Sequence, residues 1–300
     1  MKRGNIMKLN RNANPEVLSV IVPAYNEEKG IEETLSELKT VLSDTNQVYE
    51  IIVVDDGSTD NTANIAREKD FVKLIQHPQN KGYGAAIKTG IKNATNDLIL
   101  IIDDDGSYPA KDTPRLLEYA EQYDMVVGAR TGKEVKIQLY RRPAKWFLSK
   151  LANYLAETKI PDLNSGMRIF RRKDIEKFFN ILPDKFSFTT TMTLAYHTTG
   201  LLVKYVPINY YRRKGKSKIK PFKDGFNFIM LIFRTITYFN PLKVFLPAGF
   251  AFFVAAIFVF LYSTFLLGRF MDVTTIVLVV AAIQTVLFGL LADLVVRRSE

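Results

Sequence analysis

The chain has 300 residues, enough for one large domain or two modest ones, and carries a formal net charge of +10. It contains no cysteine, which excludes disulfides, thiolate nucleophiles and cysteine metal sites, and its two histidines, His77 and His197, are too few for a zinc cluster. The charge calls for an anionic partner: nucleic acid, an anionic membrane face or phosphorylated substrates. Residues 1–16 are basic and polar, without the apolar run of a signal peptide, and read as a flexible tail.

From residue 17 the pattern alternates. Leu18–Val22 is an apolar strand ending at Pro23-Ala24-Tyr25-Asn26-Glu27, and Ile31, Leu35, Leu38, Val41 and Leu42 mark the stripe of a helix. Tyr49–Val54 is the second strand and stops at Asp55-Asp56-Gly57-Ser58; Ser58 or Asp60 can cap the next helix. Phe71–Gln76 makes a third strand. Gly82-Tyr83-Gly84 opens a helix to about Ala94, either as an ordinary Asn80-Lys81-Gly82 turn or as a helix N-terminus suited to a phosphate. Leu98–Ile102 is the fourth strand and runs straight into Asp103-Asp104-Asp105; a helix near Pro114–Tyr123 and the strand Met125–Val127 follow. Strands alternating with helices predict an α/β fold with a parallel, doubly wound sheet.

In such sheets ligands bind at the carboxyl ends of the strands. Three of those ends carry Tyr25 and Glu27, Asp55 and Asp56, and Asp103 to Asp105. Carboxylates so close repel one another unless a divalent cation neutralises them, and such a cation grips nucleotide phosphates in turn.

The last fifth of the chain is different in kind. Val244–Leu267 and Val273–Ala292 hold no charged residue, and each is long enough to cross the roughly 30 Å hydrocarbon core as a helix. Only Gly268 to Asp272 joins them, which predicts a hairpin. Lys/Arg residues on the far side (Arg234, Lys243, Arg297, Arg298) place both termini and the large domain in the cytoplasm. Residues 221–240 mix aromatic and polar side chains as an interfacial helix does, and Arg141–Glu157 does something similar; both also fit helices packed on the soluble domain. The expected organisation is a tail (1–16), a cytoplasmic domain (17–220), an interfacial helix (221–240) and a transmembrane hairpin (241–300).

Several motifs together resemble the family-2 glycosyltransferases, and among them the polyprenyl-phosphate enzymes related to dolichyl-phosphate mannose synthase. Val22 to Glu27, Val53 to Asp60, Asn80 to Ala86, Val127 to Arg130, Asp162 to Arg168 and the basic run Arg212 to Lys218 carry the resemblance, with Asp103-Asp104-Asp105 at the family's DxD position. Ser107 stands where the mannose synthases carry a Gln that helps hold the metal, and Phe186 to Thr191 lies where relatives often place a Lys or an acid.

The resemblance implies a GT-A fold and transfer of a hexose from GDP-mannose or UDP-glucose to a dolichyl or undecaprenyl phosphate, with inversion. It implies that Pro23, Tyr25, Glu27, Val54, Asp56, Asp103 and Asp104 bind the donor nucleotide, and that Asp103 and Asp105 hold Mg²⁺ or Mn²⁺. Arg130, Arg212, Lys218 and Ser165 are the expected acceptor-phosphate residues, with Asp105, Arg130 and Arg212 the catalytic ones. The expected partners are a nucleotide sugar, a polyprenyl phosphate and the membrane; assembly with further copies stays open. No nucleic-acid module is recognised, and the basic residues cluster beside the apolar segments. A processive polysaccharide synthase would resemble its relatives in a Gln-x-x-Arg-Trp motif, and the one tryptophan here, Trp146, follows Lys145.

Overall fold

The computed structural model describes residues 17–45, 47–132, 150, 152–154, 156–185, 187–211, 230, 233–268 and 273–299. The N-terminal tail, most of Arg141–Glu157, Arg212, Lys218, residues 221–229 and the side chains of Arg297 and Arg298 lie outside the described residues. The chain divides into two compact units: residues 1–139, 161–196 and 201–218 form the first, and 140–160, 197–200 and 219–300 the second.

The first unit opens with β1 (Leu18–Ala24), α1 (Ile31–Ser43), β2 (Tyr49–Asp55), α2 (Thr62–Arg67), β3 (Val72–Gln76), α3 (Tyr83–Asn93) and β4 (Leu98–Ile101). It continues with a 3₁₀ turn, α4 (Thr113–Leu117), β5 (Met125–Ala129), β6 (Arg168–Arg171), α5 (Arg172–Glu176), α6 (Phe188–Thr198) and β7 (Val203–Pro207). The strands form one seven-stranded sheet in the order β3-β2-β1-β4-β6-β5-β7. Every residue of β1, β4 and β5 is buried, the signature of strands covered on both faces and the reason their sequences read as continuous apolar runs. Ile31, Thr34, Leu35, Leu38 and Leu42 of α1 are the stripe that covers one face.

The sheet is mostly parallel, as the resemblance to GT-A folds implies, and β6 runs antiparallel to both β4 and β5, inserted between them. The alternation of strand and helix that predicts parallel crossovers stops at β5, and β6 returns from a long excursion instead. The helix predicted as far as Tyr123 ends at Leu117, where the bonds Tyr119 N–H to Leu116 O and Ala120 N–H to Leu117 O tighten the chain into three-residue turns.

The second unit contains α7 (Leu242–Leu267) and α8 (Val273–Ser299), two helices long and apolar enough to cross a membrane. They pack through small residues seven apart: Gly249, Ala256 and Ser263 on α7, and Thr275, Ala282 and Gly289 on α8, are the buried positions. A methyl group on Gly249 would stand 2.7 Å from Val286, and one on Gly289 2.6 Å from Phe245. The large side chains point away from the seam, with Phe258 71% and Phe265 79% exposed. Before the hairpin, residues 233–239 are helical, with Phe233, Arg234 and Tyr238 exposed and Thr235 and Ile236 buried. Lys243 at the start of α7 pairs with Glu157 at 2.7 Å.

Candidate active site

Strand register decides which residues meet. β1 lies between β2 and β4 and is parallel to both, with Ala24 opposite Asp55 and Ile21 opposite Ile101. The chain leaving all three strands therefore emerges at one rim, level to within a residue or two, and brings together Tyr25, Glu27, Asp55, Asp56 and Asp103 to Asp105. Pro23 and Val54 sit directly opposite each other one residue short of that rim, buried in the sheet.

The first two loops are knitted together by side chains. Asn26, at a positive φ of 51°, accepts the Thr59 N–H at 2.7 Å, and its own N–H donates to Ser58 Oγ at 2.9 Å. The Glu27 N–H donates to Thr62 Oγ1 at 2.9 Å, so the chain beside the buried Glu27 is pinned to the start of α2. Neither expected cap, Ser58 nor Asp60, takes the capping position of α2, which Asn61 holds without a side-chain cap bond; Asp60 accepts the Thr62 N–H at 3.0 Å from one residue further back.

Asp56 does something the sequence did not announce. Its buried carboxylate accepts the N–H groups of Lys81 at 2.9 Å and Gly82 at 2.7 Å, and lies 2.7 Å from His77 Nδ1. Nε2 of His77 reaches Thr89 Oγ1 at 2.9 Å. Asp56 thus holds the turn into α3. That turn is not an open cradle for phosphate: methyl groups on Gly82 and Gly84 would collide with the main chain of Asp184 and Pro183, and the Ala85 N–H donates to Asp184 O at 2.9 Å. The glycines are there because another loop packs on them.

The third cluster is split by its surroundings. Asp103 is half-buried, and its Oδ1 accepts the Tyr83 hydroxyl at 2.7 Å. Asp104 and Asp105 are buried; Asp105 Oδ1 accepts the Ser107 N–H at 2.9 Å and also the Ser107 hydroxyl. Gly30 lets α1 close over this segment, since a methyl group there would stand 2.7 Å from Asp104 O. Thr34 Oγ1 donates to the same carbonyl at 3.3 Å.

Two expected phosphate ligands prove to be otherwise engaged. Ser165 is fully buried and its hydroxyl donates to Gly128 O at 2.6 Å, so it shapes the loop rather than facing an acceptor. Arg130 spends Nε and Nη2 on both oxygens of Asp162 at 2.7 Å each, and Nη2 also reaches Asn164 at 2.6 Å. Tyr210 covers the guanidinium, with its ring centroid 5.2 Å away. Burial works against this charge, but Tyr108 and the bonded Asp162 outweigh it and hold the pKa well above the usual arginine range. Only the Nη1 edge of Arg130 makes no hydrogen bond among the described residues.

Arg168 is buried outright and ties the Asp162–Gly166 loop to α6 through Ser165 O, Thr189 O and Thr193 Oγ1. Burial pulls its pKa below the usual range. Arg212 and Lys218 lie outside the described residues, but Tyr211, next to Arg212, donates its N–H to Ser107 O at 3.0 Å. Tyr211, the last described residue before the basic run, therefore lies beside Ser107, two residues beyond Asp105.

The donor set suits a hard cation. Asp103 and Asp105 offer carboxylate oxygens, and among the described residues no third His, Cys, Asp or Glu completes a protein-only site. That matches magnesium-type sites, which take one or two carboxylates and leave the rest to water and substrate phosphates.

Residues 19–179 match the family model described as Glycosyl transferase family 2. The chain is a family-2 glycosyltransferase. Residues 240–297 of this glycosyltransferase match a second model, the GtrB C-terminal hairpin. The low-salt glycan biosynthesis hexosyltransferase Agl6 of Haloferax volcanii is 31% identical over 71% of this chain, which spans about half (52%) of that protein. A dolichyl-phosphate hexose transferase from the same organism is 30% identical over 69% of this chain and 89% of its own length. Among solved structures, glucosyl-3-phosphoglycerate synthase from Mycobacterium tuberculosis, crystallised with Mn²⁺, UDP and glucosyl-3-phosphoglycerate, superposes with a TM-score of 0.56 at 19% identity, over 74% of this chain and 80% of that one. The likeness is one of fold, the GT-A arrangement.

Proposed function

We propose that this glycosyltransferase moves a hexose from a nucleotide sugar, GDP-mannose or UDP-glucose, to a membrane-borne polyprenyl phosphate such as dolichyl or undecaprenyl phosphate, with inversion. The observation that carries the reading is the convergence of three acid-bearing strand ends on one rim in a chain that also owns an apolar hairpin. The Haloferax relative named for dolichyl phosphate supports the acceptor, and the mycobacterial synthase crystallised with Mn²⁺ and UDP supports a metal-assisted nucleotide donor.

In this reading Tyr25, Glu27 and Asp56 line the nucleotide end, and Asp103 and Asp105 would hold Mg²⁺ or Mn²⁺. A bound divalent cation would supply charge neutralisation for the departing nucleoside diphosphate. The acceptor needs no general base, because a phosphate monoester with a second pKa of about 6 is already ionised at neutral pH. What the chain supplies is position and charge. Arg212 and Lys218 are assigned to the lipid phosphate, as the resemblance implies; Arg130 contributes at most its Nη1 edge, its fork being committed to Asp162. The hairpin spans the membrane with both ends and the sheet unit in the cytoplasm, the side on which Lys and Arg flank the apolar helices.

The test uses membranes containing the full chain, incubated with each radiolabelled nucleotide sugar and extracted into organic solvent. Label that moves to the lipid phase from one donor and is lost on addition of EDTA supports the reading. Label that reaches only water-soluble acceptors rejects the polyprenyl phosphate, and no transfer from any donor favours a membrane-anchored nucleotide-binding protein instead.

A further inference from the structure

The antiparallel pairing of β6 with β4 has a consequence at Asp103. Ile101 lies opposite Arg168, and the same register carried two residues onward sets Gly166 opposite Asp103. Facing residues in an antiparallel pair come within about 4.5–5.5 Å at their Cα atoms. A methyl group on Gly166 would collide with the carboxyl carbon and both oxygens of Asp103, so the missing side chain is what lets this carboxylate lie where it does.

Gly166 is itself fixed: its N–H donates to the Tyr108 hydroxyl at 2.7 Å, and the neighbouring Ser165 is tied to Gly128. On the other flank Tyr83, the first residue of α3, donates its hydroxyl to Asp103 Oδ1 at 2.7 Å. A carboxylate hinged only at its own side-chain bonds is thus fixed by a donor from one loop and a vacant volume from another.

We infer that Tyr83 is a positioning residue that orients the Asp103 carboxylate toward a divalent cation, with Gly166 supplying the space this orientation needs. The inference rests on the metal-assisted reading above. It assigns functions to the central Tyr of Gly82-Tyr83-Gly84 and to the Gly of Ser165-Gly166-Met167 that neither phosphate binding nor turn formation explains. Groups that hold a metal ligand from behind cost roughly 10–100-fold in metal affinity when removed.

The experiment titrates Mn²⁺ into the detergent-solubilised full chain with UDP and, separately, with GDP, following free Mn²⁺ by electron paramagnetic resonance. Nucleotide binding is measured in parallel in EDTA. Tyr83→Phe keeps the ring and removes the donor; the expected result is Mn²⁺ binding weakened about tenfold with nucleotide binding in EDTA unchanged. Gly166→Ala keeps Tyr83 but forces the carboxylate aside, and is expected to weaken Mn²⁺ at least as much, again sparing the nucleotide.

Unchanged Mn²⁺ affinity in Tyr83→Phe overturns the positioning role. Equal loss of Mn²⁺ and nucleotide binding in both variants overturns it too, by assigning both residues to the fold. Wild-type protein that binds no Mn²⁺ with either nucleotide rejects the metal reading itself, a result distinct from the other two.

Discussion

In the sheet unit the side chains that vanish from the surface are large and branched, among them Ile21, Leu35, Ile52, Leu100 and Phe170; in the hairpin they are Gly249, Ala256 and Ser263 against Thr275, Ala282 and Gly289. The outward faces reverse in the same way. α1 turns Glu32, Glu33 and Lys39 outward, whereas α7 turns out Phe250, Phe258 and Phe265. The difference is the one expected if the hairpin lies in a membrane, as proposed above. Water drives large apolar groups inward. Where the surroundings are as apolar as the interior that drive is gone, and close backbone approach over small residues is what joins two helices.

The comparison can be broken most directly by opposite substitutions. Phe170→Ala should cost the sheet unit about 3–5 kcal/mol, because a fully packed ring leaves a cavity. Phe258→Ala in the hairpin should leave thermal unfolding in detergent nearly unmoved. Ala256→Leu should reverse the rule, separating α7 from α8 by overfilling the seam and lowering the unfolding temperature of the hairpin. Equal sensitivity of Phe170 and Phe258 to truncation would mean that the two units are stabilised alike.

Function should respond where stability does not. Asp105→Ala is expected to lower transfer by on the order of 10²–10³-fold, the usual cost of deleting one preorganised charge-stabilising group, with the unfolding temperature little changed. Near wild-type transfer with metal dependence intact would remove Asp105 from the site.

A smaller effect belongs to the Asp56 clasp. His77→Gln deletes one of the three contacts on the Asp56 carboxylate, worth about 1 kcal/mol, and should raise the donor KM while leaving the lipid KM alone. A shift in the lipid KM instead would detach His77 and Asp56 from the nucleotide end. The smallest change is expected for Lys243→Ala. Its ion pair with Glu157 is exposed on the glutamate side (75%), so its loss should move hairpin stability by no more than about 1 kcal/mol, and less in high salt.

The rim that carries the candidate site was legible before any coordinates. An apolar strand that ends in acids, three times over, announces a rim, since parallel strands open their sites at one end. The hairpin was equally plain from uninterrupted apolar length. Less legible was the employment of each polar group. Asp56, Arg130 and Ser165 sit on recognisable motifs, yet the first ties down a turn, the second is clamped by Asp162, and the third is buried against Gly128 O. A motif records that a residue type is needed, not whether its hydrogen bonds go to a ligand or to a neighbouring loop.

The residues that sequence reasoning missed share one cause. His77 and Tyr108 act on partners 21 and 58 residues away in the chain, and no periodicity encodes a partner at such separations. The one available signal was a tyrosine between the two glycines of a turn, a bulky residue where only small ones are needed for the bend.

By itself the sequence determined the strand–helix alternation as far as β5, the acids at the strand ends and the apolar span of the hairpin. All of these are written in local composition and spacing, because strand and helix periods of 2 and about 3.6 residues act within a few turns of chain. Only the tertiary structure decided that β6 enters antiparallel between β4 and β5. That insertion brings Gly166 against Asp103, and the packing of α3 brings Tyr83 to the same carboxylate. The physical reason is that register across a sheet is fixed by which strands find each other, and a residue's partner follows from that pairing rather than from its own neighbours.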